Sequence, residues 1–391
     1  MSSSDRSLTP DVIAVIKATI PALEAHGLDI TTEMYRRLLA DPAIAEMFDP
    51  THQSKGTQPR ALAMAVLAYA KNIDNLGVLG GAVERIAQKH VSLEILPEHY
   101  PHVATALLGA IQHVLGEAAT PAILDAWGRA YWALADILIG REHQLYDTSA
   151  QAEGGWTGWR SFTIAQAHRE CENVTTLELK PVDGKSVIQA VPGQYLGVDL
   201  NIPSHGQTRR NYSITSKPSH DGYTISVRHV PNGIVSTWLN SADSVGHEVR
   251  LSPPAGEFVL PEKIATPVAF ICAGIGITPM IGMIESLAEK SDAVPVSVIQ
   301  IAHSAEAAPF SNKLRELADA SENISLYTRL TSLDGRPDAD WIASHLPENA
   351  ACYLCGPTSF MREMVQSLPK AGIPAERLRY ETFGPDTGVT D

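Results

Sequence analysis

The sequence lacks any long apolar run. Its longest apolar stretches fall short of the ~20 residues that a membrane-spanning helix needs. Near the start, the apolar segment from Val12 to Ile16 is followed at once by Lys17, whereas a secretory signal carries a basic start and a longer apolar core. We therefore predict neither membrane insertion nor secretion.

Cysteine is also scarce, with four among 391 residues. That number does not build a disulfide scaffold, so we expect a reducing, cytoplasmic compartment. Cys352 and Cys355 have the spacing of zinc and redox dithiol motifs, but the apolar segment around them ends at Gly356-Pro357 and resembles a buried strand. Residues three apart on a strand point to opposite faces, so the pair predicts a strand and not a site.

Positive charge is in deficit. The 30 Lys and Arg face 44 Asp and Glu, and the formal net charge is −14. Binding to nucleic acid or to an anionic membrane surface needs a basic face, so neither partner is expected. The charge says nothing positive about a substrate.

The chain is long enough for two or three domains. Residues 1–147 are predicted to be all-α, because apolar residues recur at spacings of three and four, and Thr9-Pro10 is typical of a helix start. A polar, Gly-rich joint is predicted at 148–158. Short alternating runs then predict an antiparallel β-barrel at 159–262, and strands alternating with helices predict an α/β nucleotide-binding domain at 263–391.

Two segments of the β-barrel domain have the residue types that a flavin needs. In the first, Arg210-Asn211-Tyr212-Ser213, the guanidinium can pair with a pyrophosphate, the ring can lie along an isoalloxazine, and the hydroxyl can bond its N5 edge. The second, Asn232-Gly233-Ile234-Val235-Ser236, predicts a glycine turn with Ser236 capping a short helix from Thr237 to Leu239. Backbone N–H groups at such a helix start suit a phosphate.

Two further segments predict a dinucleotide site. Gly274-Ile275-Gly276-Ile277-Thr278-Pro279 follows a continuous apolar strand and opens a helix, although it lacks the third glycine of the Rossmann fingerprint. Cys355-Gly356-Pro357 closes another strand, where a nicotinamide could lie.

In this order, the motifs resemble the ferredoxin–NADP reductase-like family, over residues 156–385. The resemblance assigns FAD to Tyr195, Arg210, Asn211, Tyr212, Ser213, Asn232, Gly233, Val235 and Ser236. It assigns NADH or NADPH to Gly274, Ile275, Gly276, Ile277, Thr278, Pro279, Cys355, Gly356 and Pro357. It implies that a C-terminal segment covers the flavin, and that the ring of Phe383 is displaced for hydride transfer. The residues of this segment are Glu381, Thr382, Phe383, Gly384 and Pro385.

The helical half contains one candidate metal ligand. His90 shares an apolar helical stripe with Val83, Ile86 and Ala87, which points its ring into the core. A histidine in that place is more often a hydrogen-bonded core residue than a ligand. Tyr100 and Glu142 would hold its second ring nitrogen if the fold brought them together, which would make it a stronger donor to iron; otherwise Glu142 lies in solvent at the end of its helix.

This half resembles the globin domain of flavohaemoglobins, and the matching segments include Gln58-Pro59-Arg60-Ala61-Leu62, Ile86-Ala87-Gln88-Lys89-His90 and Pro97-Glu98-His99-Tyr100. The resemblance implies haem b with His90 as the proximal iron ligand, tuned by Tyr100 and Glu142. Tyr35 and Gln58 would be the distal polar residues, and Phe48 would pack on the haem. Lys89 would lie with Glu381 where the haem and flavin domains meet.

Three positions depart from the family pattern: Trp132 replaces a glycine, Thr382 replaces Cys or Val, and Ile234 lies in the flavin turn. None of them removes a proposed ligand or catalytic group. The segment after the second α/β strand, His303-Ser304-Ala305-Glu306, contains no arginine for a 2′-phosphate, which favours NADH over NADPH.

The resemblance implies a monomeric nitric oxide dioxygenase, in which NO and O2 become nitrate with electrons from NAD(P)H through FAD and haem. Two alternatives stay open. The globin domain could bind or sense O2 or NO while the reductase keeps its iron ferrous. The flavin could instead reduce ferric chelates, quinones or hydroperoxides.

Overall fold

A computed structural model describes residues 6–45, 57–203, 205–289 and 294–384. The chain divides into two compact units, Met1–Ala150 and Gln151–Asp391. Among the described residues, no helix is both long and apolar enough to cross a bilayer. Phe48 and Pro385, which the sequence assigns to cofactors, lie outside the described residues.

The described part of the first unit contains helices and no strand, as the sequence predicts. The α-helices are α1 Pro10–Ala18, α2 Ile20–Leu38, α3 Pro42–Ala45, α4 Thr57–Lys71, α5 Gly80–Ser92, α6 Tyr100–Leu115 and α7 Pro121–Gln151. Short 3-10 turns occupy Leu76–Leu79, Pro97–His99 and Gly116–Ala118. Thr9 caps α1 by accepting a hydrogen bond from the N–H of Val12 at 3.4 Å.

The core of this unit is formed where helical stripes of apolar residues meet. Ile16, Met34, Ala110 and Trp127 come from four different helices and are almost completely buried. Helix α7 has 31 residues and continues through Gln151. Residues 148–151, which the sequence assigns to a polar, Gly-rich joint, are therefore helical.

The second unit begins with an antiparallel sheet. Its strands are β1 Arg160–Cys171, β2 Val174–Pro181, β3 Tyr195–Ile202, β4 Gly206–Ser213, β5 Tyr223–Arg228 and β6 Glu248–Leu251, and helix α8 spans Ile234–Leu239. The sheet order is β4-β3-β6-β1-β2-β5. An isolated bridge between Ile214 and Ile225 joins its two edges, which closes the barrel around a core that includes Phe162 and Leu196.

A parallel five-stranded sheet completes the second unit, with strand order β11-β10-β7-β8-β9. Its elements are β7 Val268–Ala273, α9 Thr278–Ala288, β8 Val296–Ala302, α10 Ser311–Ala320, β9 Ile324–Leu330, α11 Thr331–Asp334, α12 Ala339–Ser344, β10 Ala351–Cys355, α13 Thr358–Ser367 and β11 Leu378–Glu381. Every residue of β7 and β8 is buried, as expected for central strands covered on both faces. The carboxyl ends of these strands meet at one edge, where both dinucleotide motifs lie.

Candidate functional site

A histidine, a tyrosine and a glutamate from three helices meet in the helical unit. Nδ1 of His90 on α5 lies 2.7 Å from Oε1 of Glu142 on α7 and 3.2 Å from the hydroxyl of Tyr100 on α6. That hydroxyl also donates to Glu142 Oε1 at 2.6 Å. With its proton on Nδ1 and donated to the carboxylate, His90 keeps the lone pair of Nε2 for a ligand.

Glu142 is buried inside the unit, with 2% of its side chain exposed. Helix α7 continues for two further turns beyond it, so the alternative that Glu142 lies in solvent at the helix end is wrong. Its Oε2 has no hydrogen-bond partner among the described residues. A buried carboxylate costs several kcal/mol unless donors offset the loss of water, and here His90 and Tyr100 both donate to its other oxygen.

Tyr100 acts as a fixed donor in this triad. Burial raises the pKa of Tyr100, and its hydrogen bond to the Glu142 carboxylate raises the pKa further. The hydroxyl therefore keeps its proton at neutral pH. The Tyr131 hydroxyl donates to the backbone carbonyl of Tyr100 at 2.7 Å, which ties the start of α6 to α7.

Tyr35 on α2 and Gln58 on α4 form a second polar pair in the same unit. Burial raises the pKa of Tyr35, and a hydrogen bond with Gln58 lowers it by a smaller amount. Tyr35 is 8% exposed, so its phenol remains protonated and offers an O–H donor within an apolar region. The two residues that the resemblance placed on the distal side therefore contact each other.

The chemistry of the donors fits iron carried by a porphyrin. Among the described residues, no group of three or more His, Cys, Asp or Glu could hold a metal ion. His90 offers one nitrogen, so an ion there needs most of its ligands from elsewhere, as a haem provides. Lys89 is exposed on α5, next to His90.

Trp132, the bulkiest departure from the family pattern, has a partner of its own. The Arg6 guanidinium carbon lies 4.2 Å from the centre of a Trp132 ring. Arg6 Nη1 also donates to Asp136, one helical turn beyond Trp132, at 2.7 Å. The indole therefore ties the N-terminal segment to α7.

In the antiparallel domain, the predicted flavin residues lie on neighbouring strands. Ser213 on β4 pairs in register with Tyr195 on β3, while Arg210 and Tyr212 alternate onto the other face. A ligand that contacts residues on both faces of these strands must lie across the end of the strands. A methyl group on Gly256 would lie 2.9 Å from the Tyr195 ring, so the ring rests directly against that glycine backbone.

The glycine turn before α8 differs in one detail from the prediction. The helix begins at Ile234 with Gly233 at its N-cap, so Ser236 lies inside the helix and does not cap a helix that starts at Thr237. Ser236 Oγ instead accepts a hydrogen bond from the N–H of Val230 at 3.1 Å, which joins the two ends of the turn. Asn232 adopts a left-handed conformation with φ of 63°, and Val235 is buried.

The two dinucleotide motifs touch each other at the edge of the parallel sheet. A Cβ on Gly276 would lie 2.1 Å from the carbonyl oxygen of Cys355, so only glycine permits this approach. Thr278 and Pro279 open α9 as predicted. Gly274 adopts a φ of 55°, and Gly274 and Ile275 line a cavity of about 320 Å³ together with Pro357.

The rest of the C-terminal motif is partly accessible. Ile277 and Gly356 are buried beside the sheet, whereas Phe383 is 46% exposed. Glu381 ends β11, and Thr382 and Gly384 follow it half-buried.

The Cys-x-x-Cys pair is structural, as predicted. Cys352 belongs to the core on one face of the sheet, and Cys355 belongs to the core on the other. All four cysteines are free. Burial raises the pKa of Cys352 to about 11 and that of Cys272 to about 12, so these thiols are unreactive at neutral pH.

Two residues that line this cavity were not predicted from the sequence. Arg228 and Arg336 line the same cavity as Gly274 but belong to no motif. A search for cations at the carboxyl ends of all the parallel strands would have found Arg336, which follows β9. The position of Arg228 depends on how the barrel meets the α/β domain, which no local pattern shows.

Comparison with known families covers most of the chain. The globin family profile matches residues 32–138. The oxidoreductase FAD-binding domain profile matches 161–260, and the oxidoreductase NAD-binding domain profile matches 270–366.

Similar proteins include two bacterial flavohemoproteins. That of Xylella fastidiosa is 41% identical over 97% of this chain and 98% of its own length, and that of Deinococcus radiodurans is 42% identical over 97% of each. Among solved structures, a flavohemoglobin from Malassezia yamatoensis with bound FAD and heme has a TM-score of 0.88 and 30% identity, covering 96% of this chain and 100% of that chain. The FAD/NAD-binding domain of a nitric oxide dioxygenase from Vibrio cholerae is 31% identical, with a TM-score of 0.52, over 58% of this chain and 99% of that chain.

Proposed function

Because this chain belongs to the flavohemoprotein family, we propose that it is a nitric oxide dioxygenase that converts NO and O2 to nitrate. Electrons would come from NADH or NADPH and reach a haem b through FAD. When bound, the haem supplies the iron at which O2 reacts, and FAD splits a two-electron hydride into single electrons. The domains that we propose for these tasks are 1–147, 159–262 and 263–391.

The triad of His90, Tyr100 and Glu142 carries the proposal. A carboxylate on Nδ1 makes the imidazole a stronger electron donor through Nε2, which favours activation of oxygen over its simple carriage. Tyr100 fixes the carboxylate, and burial keeps water from competing for it. A protein that only stored O2 would not need a buried carboxylate at this position.

Tyr35 and Gln58 are the proposed polar residues beside the reacting oxygen. The protonated phenol of Tyr35 can donate a hydrogen bond to a negatively charged oxygen species, and Gln58 holds the phenol in place. Their burial makes this donor stronger than it would be in water.

The reductase half would hold the hydride donor and the flavin together. Arg210 is proposed to pair with the FAD pyrophosphate, Tyr212 to lie along the isoalloxazine, and Ser213 to bond its N5 edge. The contact between Gly276 and Cys355 would bring the nicotinamide to the flavin, and Phe383 is exposed enough to move aside. The roles of Lys89 and Glu381 at the junction of haem and flavin domains, and of Phe48 and Pro385, remain part of this proposal.

We also propose that the protein acts as a cytoplasmic monomer. Four free cysteines fit a reducing compartment. The charge of −14 favours neither nucleic acid nor an anionic surface as a partner.

Changing Tyr35 to Phe tests the proposed function and its distal donor together. The wild type should consume NO in air with NADH, and the variant should be slower by roughly ten- to a hundredfold, because one donor to the developing charge is lost. An NO electrode measures both rates.

Tyr69→Phe is the matched control. Its hydroxyl is also buried but donates to the backbone carbonyl of Ala130 at 2.8 Å, which is no part of the proposed site, so its loss should leave the rate within about twofold. A wild type that does not consume NO would exclude the dioxygenase and favour a flavin reductase. Equal rates for Tyr35→Phe and wild type would remove Tyr35 from the mechanism.

A further inference from the structure

A second polar link joins α5 to α7 beside the triad. Arg141, which precedes Glu142 on α7, pairs with Glu84 of α5 through two hydrogen bonds. Its Nε donates to Oε2 at 2.6 Å, and its Nη2 donates to Oε1 at 2.9 Å. Gln88, one turn after Glu84, also donates to Oε1 at 2.8 Å. Two consecutive residues of α7 therefore hold two different points of the helix that bears His90.

These two points lie well apart along α5. Glu84 and His90 are six residues apart, which corresponds to about 9 Å along the helix axis. A single link lets a helix pivot about that link, whereas two links at different heights fix both its slide and its rotation. The Glu84–Arg141 pair is therefore placed to set the direction from which His90 meets Glu142.

Buried contacts do not fix the first half of α5. The buried residues of this helix all lie in its second half: Ala87, Val91 and Ser92. At Gly80, the first residue of the helix, an added Cβ would meet no atom of the described residues within 4 Å, and the N-cap residue Leu79 makes no side-chain capping bond. The directional bonds between Glu84 and Arg141 are therefore well suited to orient this half of the helix.

The pair is charged, and its geometry is directional. The hydrogen bonds from Arg141 lower the pKa of Glu84, so the carboxylate is ionised at neutral pH. Two parallel bonds between a guanidinium and a carboxylate fix direction as well as distance. The side chains of Arg141 and Glu84 are 35% and 27% exposed, and an ion pair this accessible contributes little to stability. Its removal should therefore move α5 without unfolding the domain.

We propose that Glu84 and Arg141 are positioning residues that hold His90 Nδ1 at hydrogen-bonding distance from Glu142. This role rests on His90 as the haem ligand of the proposed function. Without the pair, α5 turns about its remaining link to α7, and the 2.7 Å separation of Nδ1 from Glu142 Oε1 increases. A histidine with a weaker carboxylate partner is a poorer donor to iron and stabilises ferric haem less. The midpoint potential of the haem then rises.

Redox titration and resonance Raman spectra of the full-length holoprotein test this role in Glu84→Gln and in Arg141→Gln. In both variants the haem midpoint potential should rise, and the iron–histidine stretching frequency of the ferrous protein should fall, in the same directions as in Glu142→Gln. Groups that hold a metal-bound histidine affect affinity by roughly 10- to 100-fold, and this pair acts one step further out. Transfer of haem to excess apomyoglobin should therefore be roughly threefold to tenfold faster than in wild type.

The signs of the two potential shifts separate positioning from a direct effect of charge. A field effect would lower the potential when the Arg141 cation is removed and raise it when the Glu84 anion is removed. Loss of positioning raises the potential in both variants. Shifts of opposite sign, or an unchanged iron–histidine frequency in both variants, would overturn the proposal.

Two further variants separate geometry from charge. Glu84→Arg combined with Arg141→Glu exchanges the partners and allows two parallel bonds again, so the potential and the frequency should return towards the wild-type values. Arg141→Lys keeps the positive charge but cannot make the paired bonds, so both should stay shifted. Full recovery in Arg141→Lys would contradict the positioning role.

Arg129→Gln is the matched control. Arg129 also lies on α7 and pairs with a carboxylate, that of Asp125 at 2.9 Å, but both residues belong to the same helix. The control should leave the potential, the frequency and the haem transfer rate unchanged, and a shift as large as that of Arg141→Gln would overturn the proposal. None of these measurements involves NO. A wild type that binds no haem would overturn the proposed function as well, whereas unshifted variants of a haem-containing wild type overturn the positioning role alone.

Discussion

Changing His90 to Ala should abolish NO oxidation, by more than roughly a hundredfold, while NADH-dependent ferricyanide reduction by the flavin stays within twofold. The reason is that Nε2 of His90 is the proposed protein bond to iron, since its Nδ1 is held by Glu142 at 2.7 Å. The Soret absorbance of the purified variant and its NO consumption measure the two parts of this expectation.

His143→Ala is the control, because His143 follows Glu142 on the same helix but is 75% exposed and faces Asp147 at 3.1 Å. It should behave as wild type in both assays. His90→Ala leaves Glu142 without its imidazole partner, which could disturb the fold. In His90→Gly, added imidazole can take the place of the missing side chain, so this variant should regain haem binding and part of the NO oxidation. NO oxidation that survives in His90→Ala without imidazole would show that the haem assignment is wrong.

Changing Gly276 to Ala should slow hydride transfer from NADH to FAD by roughly a hundredfold, because misplacing reacting groups by about 1 Å has effects of that size. The new methyl carbon would lie 2.1 Å from the Cys355 oxygen, 2.4 Å from its carbonyl carbon and 2.7 Å from the nitrogen of Gly356. All three atoms belong to the backbone, so the two motifs must move apart. Anaerobic stopped-flow reduction of FAD measures the rate.

Gly282→Ala, in the second turn of α9, is the matched control. Its nearest neighbour would be Pro192 Cβ at 3.4 Å, an ordinary contact, so its rate should stay near that of wild type. Gly276→Ala that is reduced with dithionite, freed of the excess and then given O2 should also oxidise NO normally in a single turnover, because dithionite bypasses the nicotinamide. A normal rate of flavin reduction by NADH in Gly276→Ala would contradict the proposed dinucleotide site.

Local patterns predicted the elements that depend on neighbouring residues. The apolar stripe that includes His90 predicted that its ring faces the neighbouring helices, where it contacts Glu142, and the strand–glycine–helix pattern predicted that Thr278 and Pro279 open α9. The alternation of a strand predicted that Cys352 and Cys355 face opposite cores. In each case the information lies within one turn or one strand.

Features that depend on distant contacts could not be read in this way. The sequence predicts the joint from residue 148, whereas α7 continues through Gln151, because residues 148–151 contain no glycine or proline that would end a helix. Ser236 was assigned a capping role, whereas its hydroxyl accepts from the N–H of Val230, six residues earlier, which depends on how the turn between them folds. Whether Glu142 is paired or solvated depended on α5 and α7 meeting, so both alternatives stayed open until the distance to His90 was known.

If electrons from NADH convert NO and O2 to nitrate in this one chain, then NADH, NO, O2 and nitrate must change together in a single reaction in which all four are measured. The balanced reaction is 2 NO + 2 O2 + NADH → 2 NO3⁻ + NAD⁺ + H⁺. We therefore expect one nitrate per NO and one NADH per two NO, with no NADH-supported nitrate formation once O2 is removed. NADH consumption that does not depend on NO, with nitrate well below the NO consumed, would contradict it.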